Sequence, residues 1–222
     1  MVIIDNVLTP AQVTQIREVL EQSRFEDGKA TTGALIRKFK NNLQADTSEG
    51  KLATAAQTVL TALVNHEKFR EYAIPRRILP PFFNRYDAGM YYKDHVDNAI
   101  MGSSEPMRAD ISLSVLLSAP DEYDGGELLI GGDNGITPVK PGSGAAVLYS
   151  SATIHSVAPV TRGTRYAAIS WVQSLIRGAE QRMILSELSE LGRWAHQSAP
   201  DASEPTRITR LRVNLMRMWS EI

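Results

Sequence analysis

Tyr91-Tyr92-Lys93-Asp94-His95-Val96-Asp97 is the stretch on which the reading of this chain turns. It reads as a β-rich run. On a strand or at a strand end, side chains alternate between faces with a period of two, so His95 and Asp97 point the same way. One imidazole and one carboxylate two positions apart can grip a single ion.

A second histidine from another strand would complete a set of two histidines and one carboxylate on one octahedral face. That donor set leaves coordination positions open and suits non-haem Fe(II) oxygen chemistry. His155 is the candidate. It lies 60 residues beyond His95, on the predicted strand Ile154-His155-Ser156-Val157. Val160–Thr164 reads as a turn, and Arg165 opens the next strand. Adjacent antiparallel strands would then bring His155 and Arg165 into one cavity. Stepping by two from Arg165 gives Ala167, Ile169 and Trp171, an apolar series with one charged member. A guanidinium in that register is costly unless it has a task, and holding a carboxylate by a bidentate pair is such a task.

Outward from this centre, short β-rich runs alternate with Gly, Pro and Asp turns: 76–86, 91–96, 111–117, 127–130, 136–139, 145–149, 154–159 and 165–174. Eight such runs predict an antiparallel sandwich or barrel. Asp133-Asn134-Gly135 is a hairpin signal. The first 75 residues read as helices with short connections. Thr9-Pro10-Ala11-Gln12 is a helix start with a capping box, followed by Val13, Ile16, Val19 and Leu20 at helical spacing. Glu26–Lys29 is a turn. A second helix is predicted over about 47–66, with Leu52, Ala55, Val59, Leu63 and Val64 as its buried stripe. Beyond about residue 177, Ile184, Leu188 and Leu191 form one stripe. Ile208, Leu211, Leu215 and Trp219 form another, after a polar linker at 197–205. This helical hairpin is expected to pack on the barrel; the alternative is a dimerisation element for a homo-oligomer or a partner-docking surface.

Composition narrows the function further. The 222 residues carry 24 Lys+Arg and 25 Asp+Glu, a formal charge of −1, which exerts no global pull on nucleic acid or anionic membranes. No apolar run is long enough for a membrane span, and the N-terminus has no basic, apolar leader, so a cytoplasmic location is the expectation. There is no cysteine, which excludes disulfides, thiol nucleophiles and Cys-ligated metals. A metal site must draw on Asp, Glu and four histidines, His66, His95, His155 and His196.

The chain resembles the PKHD-type (prolyl/lysyl-hydroxylase-domain) hydroxylases of bacteria. The resemblance runs over nearly its whole length: Asp27-Gly28, Lys40–Gln44, Asn84–Tyr92, His95–Asn98, Tyr123–Leu128, His155–Val157, Gly163–Arg165 and Ser170–Ser174. Phe25 and Ser150 depart from the pattern, where Trp and Pro are expected. The resemblance implies an α+β protein with a double-stranded β-helix (jelly-roll or cupin-like) core. It implies a dioxygenase domain over 1–177, with its catalytic core at about 77–177, N-terminal buttressing helices and a C-terminal extension over 178–222. It implies Fe(II) held by His95, Asp97 and His155, and 2-oxoglutarate with its distal carboxylate on Arg165. It places Tyr86 near the oxoacid and implies ascorbate as a reductant. The activity implied is substrate hydroxylation with release of succinate and carbon dioxide. The substrate is a peptidyl residue or a small molecule such as a siderophore, given the family's association with iron uptake. The alternative on the same fold is a sensor that binds iron or 2-oxoglutarate without turnover. Lys40, Asn41 and Asn42 are candidates to line the substrate entrance.

Overall fold

The computed structural model describes residues 1–31, 37–46, 50–102, 104–199 and 203–221. Its N-terminal part comprises β1 (Val2–Ile4), α1 (Pro10–Glu21), β2 (Phe25–Asp27), β3 (Lys40–Asn41), β4 (Leu43–Ala45), α2 (Gly50–Asn65) and α3 (Glu67–Ala73). The central strands are β5 (Pro75–Ile78), β6 (Phe82–Asp87), β7 (Tyr91–His95), β8 (Ile100–Met101), β9 (Met107–Arg108), β10 (Ile111–Leu116), β11 (Tyr123–Gly125), β12 (Leu128–Gly132), β13 (Gly135–Val139), β14 (Ala146–Ser150), β15 (His155–Val157) and β16 (Val160–Ser174). The chain closes with α4 (Ala179–Ser198) and α5 (Glu204–Trp219).

Two antiparallel sheets form a jelly roll. The larger runs β1-β14-β10-β16-β6-β4-β2, with β5 and β11 also paired to β16; the smaller runs β13-β12-β15-β7-β3. α1 starts at the predicted capping box: the Gln12 amide donates to Thr9 Oγ1 (3.3 Å) and the Thr9 amide to Gln12 Oε1 (2.9 Å). Val13, Ile16 and Leu20 of α1 and Leu52, Ala55, Val59 and Leu63 of α2 cover the outer face of the larger sheet, where Phe83, Ile111, Leu113, Val115, Leu148, Ala168 and Val172 meet them. The inner face packs against the smaller sheet through Leu116, Val147, Tyr149 and Ala167 on one side and Leu128, Ile130, Val139 and Val157 on the other.

Burial on both faces explains why all six residues of β10 are inaccessible. Its odd-numbered residues are apolar and face the helices. Ser112 and Ser114 face inward, which makes the interior locally polar.

The structure corrects several expectations. Run 76–86 is two strands, because Pro80 and Pro81 cannot donate to a ladder and break it between β5 and β6. The first 75 residues hold four strands besides the helices, since their short runs pair only through distant partners: β1 with β14, and β4 with β6. Glu26 and Asp27, expected in a turn, belong to β2. Val64 is exposed, one step past the stripe of α2. The predicted start of that helix at residues 47–49 lies outside the described residues.

Residues 160–164 are not a turn. They are the first part of β16, where Gly163 faces Tyr123 of β11 at φ 72°. A Cβ at Gly163 would sit 2.1 Å from the Glu122 carbonyl oxygen. Gly163→Ala is therefore expected to cost about 3 kcal/mol through positive-φ strain and the clash, read as a lower urea midpoint with unchanged slope.

The C-terminal helices dock on Ile74 and Ile176 through Leu185, with Leu215, Met216 and Trp219 beside them. The docked stripe of α4 is offset from the expected one: Ile184 and Leu191 are exposed, while Leu185 and Arg182 are buried. Arg182 is held there because its Nη1 donates to the carbonyls of Ile176 (2.8 Å) and Arg177 (2.7 Å). On α5, Leu211 is exposed. Residues 200–202 of the predicted linker lie outside the described residues. Among the described residues no helix is long and apolar enough to cross a membrane.

Candidate metal and oxoacid site

The inner faces of the two sheets enclose a cavity of about 590 Å³ that takes in His95, Asp97, His155, Arg165 and Tyr86. His95 ends β7 and lies directly opposite His155 on β15, with ring centroids 4.2 Å apart. A bulge in β7 shifts the register between Tyr92 and His95. It turns Tyr92 onto the same face as His95, and the two rings stack at 3.6 Å. Asp97 follows just beyond the strand. Its carboxylate lies 4.0 Å from His95 Nε2 and 3.8 Å from His155 Nε2. Both separations are below twice a metal–ligand bond of roughly 2.1 Å, so one ion can be shared.

The protonation pattern fits that use. His95 Nδ1 lies 2.8 Å from the Lys93 carbonyl and His155 Nδ1 lies 3.0 Å from the Thr153 carbonyl. A carbonyl only accepts, so the proton sits on Nδ1 and the Nε2 lone pair faces the cavity. Burial, reinforced by the neighbouring His155, pushes the His95 pKa down to about 4. A histidine held neutral in the fold but free to charge when unfolded withdraws stability as pH falls. The metal-free protein is expected to lose stability progressively from about pH 6.5 toward pH 4, and His95→Gln should flatten that slope in urea titrations.

Asp97 is oriented by Ser112, which the sequence reading did not single out, and by Trp171, the last member of the inward series from Arg165. Its Oδ2 accepts from Ser112 Oγ (2.5 Å) and Trp171 Nε1 (2.9 Å), and Ser112 Oγ contacts Ser151 Oγ at 2.9 Å. Oδ1 is left facing His95. The readable signal was the alternation of Ser112 and Ser114 with Ile111, Leu113 and Val115, which marks an inward polar face. Trp171→Phe removes one of the two donors and is expected to weaken Mn(II) or Fe(II) binding about 10- to 100-fold in calorimetry.

Arg165 projects from β16, on the sheet opposite His155 and not on an adjacent strand. The two meet because the sheets face each other across the cavity. The side chain is 1% exposed, and its Nε and Nη1 have no hydrogen-bond partner. Tyr86, its cross-strand neighbour on β6, lies under the guanidinium at 5.4 Å. Burial pushes the Tyr86 hydroxyl up to about 12, partly offset by Arg165, so it stays protonated and able to donate. The buried cation fits a carboxylate ligand, as the His₂Asp donor set fits Fe(II). Lys40 also lines this cavity; Asn41 and Asn42 do not.

Residues 81–173 match the 2OG-Fe(II) oxygenase superfamily. Over 224 aligned residues the chain is 40% identical to a PKHD-type hydroxylase of Xanthomonas campestris pv. campestris, covering 99% of this chain and 98% of that protein. It is 39% identical to a PKHD-type hydroxylase of Pseudomonas aeruginosa, with 97% of each covered. Among solved structures, a viral collagen prolyl hydroxylase from Paramecium bursaria Chlorella virus 1, in complex with 2-oxoglutarate, has a similar fold. Its TM-score is 0.55 at 20% identity, over 78% of this chain and 95% of that one.

Proposed function

The chain belongs to the PKHD-type hydroxylases of the 2OG-Fe(II) oxygenase superfamily, and from that membership we propose that it hydroxylates an organic substrate at the cavity between its sheets. The observation that carries the assignment of residues is the buried guanidinium of Arg165, with two unpartnered nitrogens, in the same cavity as His95, Asp97 and His155. A structural arginine would have found partners.

In this reading the Nε2 atoms of His95 and His155 and the Asp97 carboxylate would hold Fe(II), with Ser112 and Trp171 fixing the orientation of that carboxylate. Arg165 receives the distal carboxylate of 2-oxoglutarate, and the Tyr86 hydroxyl lies ready to donate beside it. Leu128, Val157 and Ile169 wall the cavity with apolar surface and exclude water from the reacting centre. When bound, iron and 2-oxoglutarate supply the oxidising chemistry that turns a C–H bond into C–OH, with dioxygen consumed and succinate and carbon dioxide released. A use of ascorbate as reductant, a cytoplasmic location and a tie to iron uptake complete the proposal on the strength of the family resemblance.

Anaerobic titration of the metal-free protein with Fe(II) and then 2-oxoglutarate tests it. A visible charge-transfer band that needs both additions is expected. Iron binding without a band on addition of the oxoacid would overturn the assignment of Arg165 and favour a role in metal binding alone.

A further inference from the structure

The cavity is larger than the proposed oxoacid site, and its remaining wall has a definite chemistry. Its polar side chains include Lys40 of β3, Gln44 of β4 and Asn84 of β6, with Asn98 and the apolar Phe82, Val96 and Met101 also in the lining. Gln44 and Asn84 are cross-strand partners. Asn84 stands two residues from Tyr86 on the same inward face, about 6.8 Å farther along the strand and away from Arg165. Asn84 is 5% exposed, and its Oδ1 has no hydrogen-bond partner. Lys40 is 6% exposed, with its ammonium 5.4 Å from the centre of the Tyr92 ring that stacks on His95.

The charges lining the cavity decide what it can accept. Among the described lining residues the cations are Lys40 and Arg165, and Asp97 is the sole carboxylate. In the reading above, Asp97 is committed to the metal and Arg165 to the oxoacid. Asp27 also acts on Lys40, but it is exposed and lines no part of the cavity. A substrate ammonium would therefore enter a buried space with no carboxylate to receive it and a lysine already in the wall. Such a charge is strongly disfavoured. An anionic oxygen group would instead meet the Lys40 ammonium, and a neighbouring N–H or O–H would meet Asn84 Oδ1.

We propose that Lys40 and Asn84 form the substrate-recognising wall of this site, and that the substrate presents an anionic oxygen group, such as a carboxylate, next to an N–H or O–H donor. This rests on the assignment of Arg165 to 2-oxoglutarate, and it turns the site away from a free lysyl side chain. Burial lowers the Lys40 pKa to about 8, so the ammonium is still the main form at neutral pH.

The test uses the full chain loaded with Mn(II) and saturated with 2-oxoglutarate. Three near-isosteric probes are compared by paramagnetic relaxation of their acetyl protons: N-acetylglycine (anionic), N-acetylglycinamide (neutral) and N-acetylethylenediamine (cationic). The anionic probe is expected to bind about tenfold more tightly than the other two, the scale of one charge-assisted hydrogen bond. The preference should vanish in Lys40→Met, persist in Lys40→Arg, and leave 2-oxoglutarate affinity unchanged in both. Equal or absent relaxation by the three probes, tighter binding of the cation, a preference that survives Lys40→Met, or displacement of 2-oxoglutarate by the anionic probe would each overturn the proposal. The wild-type comparison stands even if a variant fails to fold. Failure of 2-oxoglutarate to bind the wild-type protein would instead remove the assignment of Arg165, which keeps the two failures distinct.

Discussion

Arg165→Met is expected to do two opposite things: raise the thermal stability of the protein without its oxoacid, and lower affinity for 2-oxoglutarate by two orders of magnitude or more. Both follow from one feature. The guanidinium is 1% exposed, has two nitrogens without partners, and has no ion-pair partner among the described residues. Replacing such a charge by an apolar side chain of similar volume stabilises a fold by about 1–4 kcal/mol. For a chain of this length that is a rise of roughly 2–16 °C, at about 2–4 °C per kcal/mol. The oxoacid would then face a methyl group with a buried carboxylate, a loss of about 3 kcal/mol or more, equivalent to at least a hundredfold. Differential scanning fluorimetry with and without 2-oxoglutarate reads both effects. Iron binding by the variant should be unchanged. A variant that melts lower than wild type and keeps its 2-oxoglutarate KM would show that Arg165 serves the fold alone.

His155→Ala is expected to abolish tight Fe(II) binding, with an affinity loss of a thousandfold or more, while leaving the fold intact. His155 is one of the three proposed donors and sits at the centre of the smaller sheet, directly opposite His95. The ring is not a packing keystone in the way Leu113 or Val172 is. Its Nδ1 bond to Thr153 ties it only to its own strand end, so circular dichroism should change little. Asp97→Glu should also fail, because the longer arm carries the carboxylate away from Ser112 and Trp171 and out of its place between the two Nε2 atoms. Full iron occupancy in either variant, measured by anaerobic dialysis and metal analysis, would refute the three-residue site.

The convergence of His95, Asp97 and His155 was legible because its logic is local. His95 and Asp97 share a face through the two-residue period of extended chain, whatever the rest of the molecule does. Without cysteine, the short inventory of histidines left His155 as the partner. The place of Arg165 in the same cavity was legible for a related reason, as one charge in an inward series with Ala167, Ile169 and Trp171. The capping box of α1 and the hairpin between β12 and β13 were equally local, and both formed where expected.

What was illegible depends on pairing between distant segments. β2, β3 and β4 are two or three residues long, too short to carry an alternation, and exist only because β6 offers an edge to β4, β4 to β2, and β7 to β3. Val160–Thr164 reads as a turn from its composition, and became strand because β11 lies alongside. The orientation of Asp97 comes from Ser112 and Trp171, 15 and 74 residues away in sequence. Lys40 reaches the cavity through a two-residue pairing with β7. The residues proposed to hold the metal and the oxoacid are thus set by side-chain chemistry and strand period, which the sequence carries directly. The walls that orient them and select a substrate are set by hydrogen-bonded neighbours that only the closure of the two sheets brings together.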